Sequence, residues 1–250
     1  IAAGFRMSDA PAREAATGYL ESPQGAGAVG AFGVAKDETG VDWYAKSSDA
    51  SPFEGGQTIN LAPGVDVLSD AIADAEPGDR FLLSAGRYME SRVVLIDKPV
   101  TIESEEPGAA LLAFDRPRLF VLTGQGALTL EGVEVTGEFA PDGSGNAMVA
   151  TSGEHGRGNH ILKLQDVTVR DFDVNRGFSV VSAGKGSFFD RIDVIGSQFS
   201  DVSGAAFKLD EETDDYGIYN AEYVNIVDSQ FSDIGDSVIS IYRGGTDEST

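Results

Sequence analysis

Two basic residues near the end of the chain are the first candidates for catalysis. Lys208 closes the segment 205–208 and Arg243 closes the segment 240–243, and both segments are strand-like in composition. A lysine that removes a proton and an arginine that donates one are suited to general acid–base chemistry. The favoured interpretation is nevertheless that both are solvated charges at strand ends, because no supporting motif flanks them.

An acidic segment follows Lys208 and offers oxygen ligands of the kind that calcium prefers. It lacks the alternating spacing and the central glycine of an EF-hand loop, so the favoured interpretation is a solvated acidic turn. The candidate calcium ligands are Asp210, Glu211, Glu212, Asp214 and Asp215.

The stretch from Glu154 to Arg191 is locally basic in an acidic chain. It holds six of the 18 basic residues but only five acids, whereas the net charge of the chain is −23. If an acidic sugar binds this protein, this stretch is the predicted place, and salt bridging to neighbouring acids is an equally good account. The six residues are Arg157, Lys163, Arg170, Arg176, Lys185 and Arg191.

The two histidines, His155 and His160, stand five residues apart in a glycine-rich segment. They lack a third ligand and the helical spacing of a zinc motif, so they make a weak metal site. We therefore expect a glycine-rich surface loop here.

The composition excludes several classes of partner. The 41 acidic side chains against 18 basic ones would repel nucleic acid and anionic lipid at long range. Apolar runs such as 81–83 and 93–96 are far shorter than the ~20 residues of a membrane-spanning helix. The chain has no cysteine, which excludes disulfides and thiolate metal sites.

A repeat determines the predicted fold. Four similar segments begin at Leu128, Leu162, Ile192 and Val224, spaced by 34, 30 and 32 residues. Each has apolar residues at its first, third and eighth positions and a Gly or Asp at its fifth, where the chain must turn. One such unit cannot bury its apolar side alone, so successive units must stack. The period fits neither a propeller nor a leucine-rich repeat, and we predict an all-β, right-handed, single-stranded parallel β-helix.

A short helix is expected to cover the first coil. Leu68, Ala71, Ile72 and Ala75 follow helical spacing, and Asp66 stands where a residue caps a helix. Residues 1–60 show no sustained period and are predicted to be an irregular lead-in, with the β-helix domain at 61–250.

Several segments together resemble a known family. Residues 71–80, 86–88 and 98–102 resemble the opening of pectin-lyase-like β-helix proteins. With 41–44 and 241–250, they look like the second, C-terminal β-helix domain of enzymes in the alginate lyase and chondroitinase B family, polysaccharide lyase family 6. The resemblance implies that residues 1–60 are the tail of a preceding catalytic β-helix domain, and that the β-helix continues past the end of this sequence.

The resemblance also implies an activity for the parent protein. In that family a lysine base and an arginine acid carry out β-elimination on a uronate polysaccharide such as alginate, and calcium neutralises the uronate carboxylate. The expected pattern is a Lys-Ser pair, then Asn and Arg, then Arg-His-Gly. Asn225 and Arg243 fall in comparable places, but no Lys-Ser pair precedes them and Gly244 stands where His is expected, so the catalytic roles are not carried over.

Three hypotheses follow. The first is an accessory domain of a secreted or periplasmic alginate-lyase-like enzyme, with calcium as a cofactor of the parent enzyme and no cofactor assigned to this domain. The second is a free-standing β-helix that binds acidic glycan or is structural, without lyase activity. The third is a catalytic β-helix that uses Lys208 and Arg243.

Overall fold

The computed structural model describes residues 52–151, 159–211 and 220–241. These ranges contain one helix, α1 (Val67–Ala73), and strands in three parallel sheets. All of them fall in a compact unit that begins at Pro52. Within the same ranges, no helix is long and apolar enough to cross a membrane.

From residue 79 onward each coil contributes one strand to each sheet, in the order sheet 1, sheet 2, sheet 3, and sheet 1 has one additional strand at its start. Sheet 1 contains β1 (Thr58–Leu61), β2 (Asp79–Leu83), β5 (Pro99–Ser104), β8 (Ala127–Glu131), β11 (Asn159–Gln165), β14 (Phe188–Ile195) and β17 (Ala221–Val227). Sheet 2 contains β3 (Gly86–Glu90), β6 (Ala110–Phe114), β9 (Glu134–Thr136), β12 (Thr168–Arg170), β15 (Gln198–Phe199) and β18 (Gln230–Phe231). Sheet 3 contains β4 (Val94–Ile96), β7 (Arg118–Leu122), β10 (Ala147–Thr151), β13 (Ser179–Ser182), β16 (Phe207–Leu209) and β19 (Ile239–Ile241).

The predicted parallel β-helix is therefore confirmed, and so is the repeat register. Leu162 pairs with Leu128 on one side and with Ile192 on the other, and Ile192 pairs in turn with Val224. The residues at the third repeat position are also register partners, and they are buried in β8, β11 and β14. At the eighth position the rings of Phe199 and Phe231 stack with centroids 4.8 Å apart and planes 10° apart.

The fifth repeat position is the predicted turn. Gly132, Asp166, Gly196 and Asp228 all have left-handed backbone angles, with φ of 63°, 53°, 60° and 49°. Glycine takes this conformation freely, and aspartate tolerates it better than most residues. Part of the protein's acidity therefore comes from residues that turn the chain.

The helix prediction is correct and Asp66 stands at the N-cap position, but its side chain does not cap the helix. The side chain of Asp66 makes no capping bond; its two oxygens accept hydrogen bonds from the backbone N–H and the hydroxyl of Ser91. The helix N–H groups of Leu68 and Ser69 donate instead to the carboxylate of Glu90, which is fully buried at the end of β3. Burial raises the pKa of Glu90 despite these hydrogen bonds.

The β-helix starts slightly earlier than predicted. β1 begins at Thr58, inside the predicted lead-in, because Thr58–Leu61 pairs with residues 80–83 of β2. The buried carboxylate of Asp79 holds this first coil together: Oδ1 accepts from the N–H of Gln57, and Oδ2 from that of Glu76. Residues 1–51 and 242–250 lie outside the described residues.

The last described coil buries its apolar residues less well than the coils before it. Phe199 is 1% exposed, whereas Phe231, directly above it, is only partly buried. Ile239 and Ile241 are 36% and 56% exposed. The stack is thus best packed in its middle coils.

This difference predicts unequal losses for two matched substitutions. Phe199→Ala should lower the free energy of unfolding by about 3–5 kcal/mol, through lost transfer energy and a cavity. Phe231→Ala should cost roughly half as much, since its ring is already partly hydrated. Urea unfolding of the two variants measures this, and an equal or larger loss for Phe231→Ala would contradict the packing described here.

Candidate functional site

Lys208 lies in β16 and is held by neighbouring acids. Its ammonium forms an ion pair with Glu211 and lies 3.7 Å from Oδ1 of Asp210. Its register partner in β19 is Ser240, not Arg243, which lies outside the described residues.

The acidic segment after Lys208 is described only at its start. Asp210 accepts a hydrogen bond from the hydroxyl of Ser240, and Glu211 forms an ion pair with Lys208. Across the described ranges, no group of three or more His, Asp or Glu residues is arranged to hold a metal ion. The described residues of this segment therefore do not fit a calcium site. The other three candidates, Glu212, Asp214 and Asp215, lie outside those ranges.

The basic stretch does not form one patch. Lys163 and Arg191 lie in β11 and β14 of sheet 1, whereas Arg170 lies in β12 of sheet 2. Arg176 and Lys185 are exposed between strands, before and after β13. One coil of about 30 residues passes round all three sheets, so residues that are close in sequence are distributed over every side. Arg157 lies outside the described residues.

Arg170 is structural rather than available for a ligand. Its guanidinium forms ion pairs with Glu134 on the coil below and with Asp171 beside it. The hydrogen bond to Glu134 raises the pKa of Arg170 above its ordinary value. The interpretation as ordinary salt bridging is therefore correct for this member of the basic stretch.

His160 is not in a surface loop. It begins the inner side of β11, is 0% exposed, and packs edge-on against the ring of Phe189. Its Nδ1 lies 2.9 Å from the carbonyl oxygen of Gly126, while its Nε2 is buried without a hydrogen-bond partner. Burial lowers the pKa of His160 more than the Gly126 contact raises it, so the neutral ring is favoured. His155 lies outside the described residues.

The outward side of sheet 1 carries a continuous column of polar residues. Thr129, Lys163, Asp193 and Asn225 are register partners on successive coils, and we call this column the sheet 1 strip. Asp193 Oδ2 accepts a hydrogen bond from Arg191 Nε at 2.7 Å, and its Oδ1 accepts a long one from Asn225 Nδ2 at 3.4 Å.

One column over, Ile161, Arg191 and Tyr223 are register partners in the same way. All three are half-buried. Aliphatic, cationic and aromatic side chains therefore lie beside the sheet 1 strip.

The repeat contained the signal for this strip, although the sequence analysis did not use it. Thr129, Lys163, Asp193 and Asn225 each occupy the second position of a repeat unit, between two inward-facing residues. Side chains alternate between the two sides of a strand, so second-position residues of stacked coils must share the outer side. Of these four residues, only Lys163 is a binding candidate from the basic stretch.

Comparison with known proteins identifies the type of β-helix. No family model and no curated protein matches the sequence. Among solved structures, the chain is similar to the PL6 family alginate lyase AlyGC, with 40% sequence identity and a TM-score of 0.75 over 87% of this chain. An arginine-to-alanine mutant of that enzyme matches with 41% identity and a TM-score of 0.77 over the same share of the chain.

The resemblance to polysaccharide lyase family 6 is confirmed. The chain spans 30% of the length of the family 6 enzyme that it matches. The similarity therefore concerns a β-helical part of such an enzyme.

The buried histidine predicts how the stability of this β-helix depends on pH. The folded-state pKa of His160 lies below its unfolded value of 6.5. Once the pH falls below about 6.5, the unfolded chain therefore binds more protons at this histidine than the folded chain does. The contribution of His160 to the free energy of unfolding is fully present above that pH. It decreases below that pH by at most about 1.4 kcal/mol per pH unit for one proton.

Urea unfolding at about pH 7.5 and about pH 5.5 tests this prediction in the window where histidine titrates. The loss of stability between the two pH values should be smaller in His160→Gln than in the wild type, because the carboxylates and His155 are common to both. Equal losses in the two proteins would show that His160 is not buried as a neutral ring.

Proposed function

We propose that this chain is an accessory β-helix domain of a secreted or periplasmic alginate-lyase-like enzyme, whose parent reaction is β-elimination on a uronate polysaccharide. The observation that carries the proposal is the 40% identity to an alginate lyase over 87% of this chain, combined with coverage of only 30% of that enzyme. The acidic polysaccharide and a preceding catalytic β-helix domain are the proposed partners.

The environment of Lys208 supports a non-catalytic role. A lysine base must reach the proton at C5 of the uronate, whereas the Nζ of Lys208 is engaged by Glu211 and lies near Asp210. This environment favours an accessory domain over a catalytic β-helix.

An elimination assay tests the proposal directly. β-Elimination leaves a double bond conjugated to the carboxylate, which absorbs in the ultraviolet. The 250-residue chain alone should produce no such absorbance from alginate or dermatan-type substrates. The protein translated from the longest reading frame that contains it should do so, and that frame should encode a preceding β-helix with the Lys-Ser and Arg-His-Gly pattern.

Two results would contradict the proposal. Activity of the chain alone, lost in Lys208→Ala but kept in the matched control Lys185→Ala, would show that this β-helix is catalytic. A reading frame without a second β-helix, and without activity, would instead favour a free-standing glycan-binding or structural protein.

A further inference from the structure

The sheet 1 strip contains a cation that has no partner in a strongly acidic protein. Among the described residues, three cationic side chains, Arg118, Lys163 and Arg176, form no ion pair, hydrogen bond or ring contact. Arg118 and Arg176 are exposed, so water satisfies them. Lys163 differs because it is half-buried on the outer side of a sheet.

The carboxylates around Lys163 bind other side chains among the described residues. Its register partner Asp193 is already engaged, with one oxygen bound by Arg191 and the other by Asn225. On the coil below, its register partner is the uncharged Thr129. The nearest carboxylate on that coil, Glu131, accepts a hydrogen bond from Gln165 at 3.3 Å.

Arg191 adds a second cationic group beside Lys163. It lies one coil further along and two residues earlier in register, which places the two Cα atoms about 7–8 Å apart diagonally across the sheet. Only its Nε is used by Asp193, so its two terminal amino groups have no partner among the described residues. Two available cationic groups therefore face outward from neighbouring coils.

We infer that the sheet 1 strip, with Arg191 and Tyr223 beside it, is a docking surface for a carboxylated oligosaccharide. This inference rests on the proposed function, which supplies the carbohydrate class of the ligand. Charge complementarity supplies the rest: a carboxylate would pair with Lys163, and a second one with the free amino groups of Arg191. The half-buried Tyr223 ring and Ile161 offer apolar surface to the sugar rings.

Binding of alginate hexasaccharides to the 250-residue chain, measured by calorimetry or by NMR titration, tests the inference. The wild type should bind them, and its affinity should fall with added salt. Carboxyl-reduced hexasaccharides of the same backbone should not bind. Lys163→Gln, which removes the charge and keeps a polar side chain, should weaken affinity about fivefold, as expected for one partly exposed ion pair.

Three further variants sharpen the test. Lys163→Glu should weaken affinity by at least about tenfold, because it turns an attraction into a repulsion. Asp193→Asn should strengthen affinity, because Asp193 is the sole acid of the strip. Arg118→Gln removes one unpartnered cation from sheet 3 and should leave affinity unchanged. The three side chains changed in these variants face outward or are exposed, so unfolding midpoints close to that of the wild type are the folding control.

The outcomes separate this inference from the proposed function. If the wild type binds and the Lys163 variants bind as tightly as Arg118→Gln, the glycan docks elsewhere and the inference is wrong, while the proposed function stands. If the wild type does not bind the acidic hexasaccharides at all, the docking surface is wrong. The elimination assay on the longer reading frame then decides the proposed function independently.

Discussion

The structure depends on one constraint: each coil has an apolar inner side that only the next coil, in the same register, can bury. A shift of one residue would move Leu162, Leu164 and their partners to the outside and Lys163 to the core. The turn after each of the last four sheet 1 strands keeps the register, since its left-handed residue is Gly or Asp. The inner stack and the outer columns are therefore two consequences of the same pairing.

The outer side of sheet 1 shows how this constraint arranges a surface. Residues about 30 positions apart in sequence become neighbours at the ~4.8 Å spacing of parallel strands. Asp193 binds Arg191 and Asn225, and Lys163 has no ion pair among the described residues. In a chain with a net charge of −23, a half-buried cation without a partner is a local exception to the general repulsion of anions. A small site of opposite sign is thus compatible with an acidic protein that handles an acidic polymer.

The sequence was sufficient to predict the coil, its register and its turns, because those depend on residues at fixed positions in a repeat. It was not sufficient where a residue's partner comes from another coil. Asp66 fits a local capping pattern, but Glu90, 24 residues later, is the residue that returns beneath the helix and accepts its N–H groups. His160 stands in a glycine-rich segment, yet pairing with Phe189 carries it into the core.

Charge runs were the least reliable guide to a site. The six basic residues between 154 and 191 are close in sequence, but the coil carries the described ones to different sides. The useful signal was the second position of the repeat, which recurs on one face. Site prediction in such a fold therefore has to follow the register across coils rather than the local composition.

The register of sheet 1 is the central claim, and disulfide formation between paired cysteines tests it most directly. The chain has no cysteine of its own, and Gln165 and Ile195 are outward-facing register partners on adjacent coils. Gln165→Cys with Ile195→Cys should form a disulfide, since Cα atoms about 4.8 Å apart satisfy its geometry. Gln165→Cys with Asp193→Cys should not, because that diagonal pair is about 7–8 Å apart. Equal or preferential cross-linking of the diagonal pair would contradict the register and the surface built on it.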